Sequence, residues 1–238
     1  MNPTVARLTV RGLLGRRRGI LLLVVPAVLL VISVIARAVS GTPDLLPAPV
    51  LGHLGVGTLL PILALVVGTG VIATEIEDGS IVYLLAKPLP RPQIITTKLA
   101  VAVVTTSLLA AVPTYLAGLV LVGTRDGVAA GYAVAALVSG ATYSALFLLL
   151  GVVTRHAVVA GLGYALVWES LVGNFVPGAR TLSIQQWGLS VGRSVAAEGA
   201  IAADVSLTVA VSLLVVVAVA ATALAAVRLG GLTLAGEE

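Results

Sequence analysis

Few residues in this 238-residue chain could do chemistry, and most of them crowd into one place. The stretch from Glu75 to Lys98 reads EIEDGSIVYLLAKPLPRPQIITTK and carries six charges: Glu75, Glu77, Asp78, Lys87, Arg91 and Lys98. Acids at one end and bases at the other suit ionic docking better than bond-making. Elsewhere the inventory is thin. His53 and His156 stand far apart and cysteine is absent, so no metal-binding set can be assembled. Nucleophilic catalysis needs a serine activated by a neighbouring base. Ser139 and Ser144 lack the G-x-S-x-G context of a nucleophile elbow, and neither histidine falls in the middle of an apolar run. A phosphate-cradling loop needs G-x-x-x-x-G-K-[ST]. The only lysines, Lys87 and Lys98, do not follow a glycine. No catalytic residue, metal or cofactor is therefore expected in this chain.

The elements that must position the charged stretch are membrane helices. Hydrophobic residues make up 59% of the chain and charged ones only 10%, against about 25% charged in a soluble domain. Crossing the hydrocarbon core takes about 20 apolar residues. Six runs qualify: 19–39, 53–74, 99–122, 129–152, 157–176 and 205–227. The expected fold is an all-α polytopic membrane protein, one transmembrane domain over 1–238. Pro26, Pro61 and Pro113 fall inside runs and predict kinked helices. With the N-terminus inside, Lys and Arg divide ten inside (Arg7, Arg11, Arg16, Arg17, Arg18, Lys87, Arg91, Lys98, Arg155, Arg228) to four outside (Arg37, Arg125, Arg180, Arg193). That bias puts both termini in the cytoplasm. The net charge of +4 thus belongs to membrane flanks and does not point to nucleic acid. Ala36-Arg37-Ala38 imitates a signal-cleavage site, but the apolar run before it is longer than a usual signal core and five more follow. Residues 1–18 are expected to form an interfacial amphipathic helix, with Val5, Leu8, Leu13 and Leu14 facing lipid.

Between the second and third spans, Asp78 or Ser80 can cap a short helix whose apolar face is Ile81, Val82, Leu84 and Leu85. Pro88 stops it, and Pro90 and Pro92 keep the next stretch extended. Arg91 and Lys98 return the chain to a positive membrane surface. Two readings stand: a loop that merely reconnects two spans, and a stiff projection that plugs into a soluble partner. Among the acids, Glu169 alone falls within a span, and burying such a charge costs roughly 2.5–3.5 kcal/mol on insertion scales. It is expected to make a structural hydrogen bond or to pair with Arg37, rather than to touch a substrate. The outer 177–204 segment is either a set of short outer or re-entrant helices or a simple cover. Trp168, Phe175 and Trp187 fit an interfacial aromatic belt. Gly188 and Gly192 form a small-xxx-small pair of the kind that arises by chance in so Gly-rich a chain.

The run Glu75-Ile-Glu77-Asp78-Gly79-Ser-Ile81, then Leu84-Leu85-Ala-Lys-Pro88, then Arg91 and Lys98, resembles the cytoplasmic loop of ABC-2 type transporter permeases. Six spans with both termini inside fit the same family. The resemblance implies a permease working with two copies of a separate ATPase, which would hold the ATP and Mg, and with a second permease, either a copy or a paralogue. Residues 75–98 would then be the ATPase-coupling element of a multi-pass subunit set among the lipids of a bacterial cell membrane. Its cargo would be hydrophobic or amphipathic, such as a drug or lipid. The alternatives are a secondary transporter or channel that needs no ATPase, or a membrane assembly or anchoring protein.

Overall fold

The apolar sequence folds into helices as expected, although it carries 26 glycines and 11 prolines. The computed structural model describes residues 3–13, 15–40, 47–72, 91–172 and 178–231, and among them no strand occurs. Helix α1 (Pro3–Leu13) precedes α2 (Arg16–Val39). A wide-wound π-helix, Ala48–Leu59, runs directly into α3 (Leu60–Gly70). Then come α4 (Arg91–Val122), α5 (Val128–Val153) and α6 (Ala157–Gly163). Helix α6 widens into a second π-helix, Tyr164–Val172. Helix α7 (Ile184–Arg193) is short, and α8 (Leu207–Gly231) is long. Five stretches are long and apolar enough to cross a membrane: Leu22–Val39, Ala48–Gly70, Pro92–Val122, Arg125–Val153 and Leu207–Leu229. The sixth expected span, 157–176, is represented by a shorter apolar helix, Ala157–Glu169.

Chain direction alternates, which defines two ends. The distal end carries the 123–127 turn; the proximal end carries the start of α2 and the end of α8. The distal turn needs left-handed backbone at Gly123 (φ 68°) and Gly127 (φ 66°), and Asp126 (φ 54°) joins them. Glycine reaches that region without a Cβ clash, so the GTRDG sequence specifies a tight reversal. The Asp126 carbonyl then accepts a hydrogen bond from Ala197 N at 2.8 Å, tying the turn to the long distal segment.

Burial sorts the helices. In the stretches 48–70 and 125–153 most residues are buried, whereas in the other three crossing stretches most are not. The first π-helix with α3, and α5, therefore form the middle. Helices α2, α4 and α8 leave one apolar face open, for example Val104, Leu108 and Val112 on α4. In hydrocarbon such faces cost nothing, because lipid tails are as apolar as leucine. Two cores result. The distal one joins Leu51, Val56, Tyr143, Phe147, Ile184 and Trp187. The proximal one joins Leu22, Ile72, Ile94, Ile95, Ala225 and Leu229, and it also takes in Leu13 of α1. Leu13 packs into protein instead of facing lipid as expected, while Leu8 stays exposed. Pro61 marks the junction where the π-helix tightens into α3, a change of winding in a chain that stays helical through Leu59 and Leu60. Pro26 and Pro113 are instead carried inside continuous helices.

Without a hydrophobic drive between helices in lipid, contact rests on close packing and interhelical hydrogen bonds. Ser144 Oγ and Thr106 Oγ1 join α5 to α4 at 3.1 Å. Small residues do the rest. A Cβ on Gly192 would lie 2.4 Å from the Gly131 carbonyl oxygen, and one on Gly188 would overlap Ser139 Oγ at 1.8 Å. The Gly188–Gly192 pair is thus the seat of α7 on α5, not a chance coincidence of composition. Adding a methyl at Gly192 forces backbone apart, and overpacking of this kind costs roughly 1–3 kcal/mol. Gly192→Ala is expected to lower the thermal unfolding midpoint of the purified protein. Gly163→Ala, which meets nothing within 4 Å, is expected to leave it unchanged or raise it. An equal fall in both variants would mean that close approach at Gly192 is unimportant.

Candidate functional site

The polar side chains converge at the distal end. Glu169, on the second π-helix, is only 3% exposed. Tyr164 Oη donates to its Oε1 at 3.1 Å, and the backbone N–H of Ile184 donates to the same oxygen at 3.1 Å. Ser183 Oγ donates to Oε2. Ser183 is also the N-cap of α7, where its Oγ accepts from Gln186 N. The carboxylate therefore sits at a helix N-terminus, where unpaired N–H groups and the helix dipole favour negative charge. Next along α7, Gln185 Nε2 donates to the Gly52 carbonyl at 2.9 Å. Its side chain fills the space a Cβ on Gly57 would need, 2.7 Å from that same nitrogen. A glycine at 57 is the condition for Gln185 to reach the π-helix.

Wide winding supplies the rest of the geometry. An i→i+5 helix is rare and tends to appear at functional positions. Here two such stretches touch each other. In the first, Leu60 N bonds to Gly55 O, and His53 Nδ1 and the Ala48 carbonyl lie 3.1 Å apart. Between the two stretches, α7 and the 202–204 segment lies a cavity of about 180 Å³. Its polar lining includes His53, Tyr132, Glu169, Gln185, Gln186 and Asp204.

The other sequence-derived residues fare differently. Glu75, Glu77, Asp78, Gly79, Ile81, Leu84, Leu85 and Pro88 lie outside the described residues. Arg91 begins α4. Lys98 does not return to the membrane surface: it is fully buried, and its Nζ donates to the Val71 carbonyl at 2.6 Å. The cause is local. Helix α3 ends at Gly70, so the Val71 carbonyl lies just past the helical ladder, where backbone acceptors take donors from outside the helix. A cation at a helix C-terminus also meets the dipole favourably. Lys98 lies one helical turn beyond Ile94, which is buried in the proximal core.

Arg37 does not pair with Glu169. It is exposed beside residues 119–123 and Arg125, while neutral donors satisfy the carboxylate. Trp187 is buried, with Nε1 donating to Thr181 O at 2.7 Å, rather than standing in an interfacial belt. Trp168 is partly exposed, and Phe175 lies outside the described residues. Sequence reasoning missed Gln185, Tyr164 and Ser183 as partners of the distal site. The only available signal was polarity clustered in a segment too polar for a span.

A family model described as ABC-2 family transporter protein matches residues 55–178, just over half of the chain. No curated protein matches it.

Replacing Glu169 with leucine strands three donors, one of them a backbone N–H, and a buried unsatisfied group costs about 1–3 kcal/mol. Glu169→Leu is expected to lower the unfolding midpoint clearly. Glu169→Gln retains a carbonyl acceptor and is expected to lose less, and Arg37→Ala is expected to be neutral. Thermal unfolding in detergent, followed by fluorescence, orders the three. A large loss in Arg37→Ala would restore the ion pair.

Proposed function

Since the chain belongs to the ABC-2 family of transporter proteins and is a multi-pass permease of an ABC transporter, we propose that residues 75–98 couple it to its ATPase and that its spans export a hydrophobic or amphipathic compound. The family match over 55–178 carries the reading, because it takes in the whole charged stretch. Permeases of this family work with an ATPase partner. The chain has no phosphate-cradling sequence of its own, so ATP and Mg would sit on that partner. Two ATPases and two permeases, the second a copy or a paralogue, would complete the assembly in a bacterial cell membrane. No role is assigned to nucleic acid.

In this mechanism Glu75, Glu77, Asp78 and Gly79 begin the docking surface. Ile81, Leu84 and Leu85 give it an apolar face, and Pro88 stiffens it. Closing of the ATPase dimer moves this surface, and Arg91 and Lys98 carry the motion into α4. Lys98 has a second contact that supports transmission, its hydrogen bond to the end of α3.

Co-purification of a P-loop ATPase with the permease tests the partnership directly. Reversing Glu75, Glu77 and Asp78 together to lysine is expected to cut transport at least tenfold while the permease still reaches the membrane. Lys98→Met is expected to reduce transport per ATP hydrolysed while the ATPase still co-purifies. Normal transport in the triple variant would overturn the coupling role.

A further inference from the structure

We propose that α1 is a docking surface for anionic phospholipid headgroups of the proximal leaflet, and that this contact steadies the junction of α3 with α4. Its bearing on coupling rests on the function proposed above; the lipid contact does not. Three observations carry it. The first is position. Helix α1 ends at Leu13, α2 begins at Arg16, and the crossing stretch of α2 begins at Leu22. At 1.5 Å per residue, Arg16 lies about 9 Å before that stretch, where headgroups border the hydrocarbon. A connection of two residues holds α1 at the same level. Leu13 and Leu22 also share the proximal core, which keeps α1 against the bundle. The second is charge. Residues 1–18 hold five arginines, Arg7, Arg11, Arg16, Arg17 and Arg18, and the first acid in the chain is Asp44. Guanidinium groups match phosphate oxygens in pairs, and a cluster of basic residues beside a membrane helix draws anionic lipid. The third is the division of faces. Ala6, Thr9 and Leu13 are spaced as one face of a helix and pack inward. Arg7 is exposed, and so are its neighbours Leu8 and Val10. Apolar side chains beside a cation suit the boundary of headgroup and hydrocarbon; a free anion in water would cover neither of them.

The link inward is short. Leu13 shares its core with Ile72, just past α3, and with Ile94 and Ile95 near the start of α4. Helix α1 touches both α3 and α4. Lipid held on its outer face thus restrains the two points between which residues 73–90 run.

Hydrogen–deuterium exchange of the purified full-length permease, without any ATPase, is compared in nanodiscs of phosphatidylcholine alone and with added phosphatidylglycerol. Because local opening sets amide exchange, exchange in α1 and in residues 92–99 is expected to slow by roughly threefold or more in the anionic discs. Helix α7, the distal control, is expected to stay unchanged. High salt is expected to shrink the effect by screening exposed charge. Arg7→Gln with Arg11→Gln is expected to abolish it, and Arg7→Lys with Arg11→Lys to retain it. Leu13→Ala is expected to keep the slowing in α1 and lose it in 92–99. If that variant folds poorly, exchange of 92–99 in the arginine variants decides the same point. Sodium phosphate added to phosphatidylcholine discs separates a free anion from a lipid headgroup and is expected to change nothing. Equal exchange in the two discs, equal slowing by sodium phosphate or in α7, a full effect in the glutamine pair, or loss of the effect in the lysine pair overturns the proposal. Slowing confined to α1 overturns the steadying of the junction. If the arginines instead serve Glu75, Glu77 and Asp78, or an acidic protein partner, exchange stays indifferent to lipid charge. Because no ATPase is present, failure here leaves the coupling reading intact. Failure of ATPase co-purification likewise leaves this lipid result standing.

Discussion

A carboxylate enclosed by apolar helices must be met by donors, and the distal end of this protein is organised around meeting that demand at Glu169. Each donor recruits a different piece of chain. Tyr164 comes from the same π-helix, Ser183 from the residue that caps α7, and Ile184 N from the first turn of α7 itself. Satisfying one charge thus fixes where α7 begins. Once its start is fixed, Gln185 reaches Gly52, and Gly188 and Gly192 come to lie against Ser139 and Gly131. The polar tie and the glycine seat support each other. Neither would hold α7 in place where hydrophobic burial supplies no preference for protein over lipid.

The two π-helices belong to the same logic. A helix of normal pitch hides its carbonyls in its own ladder. Wider winding leaves room beside it, and the Gly52 carbonyl is there taken up by a side chain from another element. Glycine at 57 allows the close approach, and Pro61 ends the wide stretch by having no N–H to offer. The aromatic set of Tyr143, Phe147 and Tyr164 lies behind this region. Its rings are stacked at 5.9 Å and edge-on at 6.3 Å.

Much of the architecture was legible in the sequence because the bilayer imposes its length scale on every helix. The runs near 19–39, 99–122, 129–152 and 205–227 reappear as α2, α4, α5 and α8. The GTRDG turn was readable from its glycines. What hydropathy conceals is direction. A buried leucine and a lipid-facing leucine contribute equally to it, so the sequence points Leu13 to lipid and Trp187 to an interface although both are buried in protein. Charge misled in the same way. Lys98 counted as a surface cation because its partner is a carbonyl, which no pattern of side chains reveals. Winding is equally invisible, since π- and α-helices draw on the same apolar residues. Gly188 and Gly192 looked like background because a Gly-rich chain offers many such pairs, and only packing shows which one is used.

The bond from Lys98 to Val71 has a mechanical meaning. It fastens the last carbonyls of α3 to the second turn of α4 at the proximal end. The two helices are thereby riveted where the chain between them departs. On the coupling proposed above, a tug delivered through that chain would meet both helices together, as it would forceps whose jaws are pinned, and would be passed along α3 to the π-helix that lines the distal cavity.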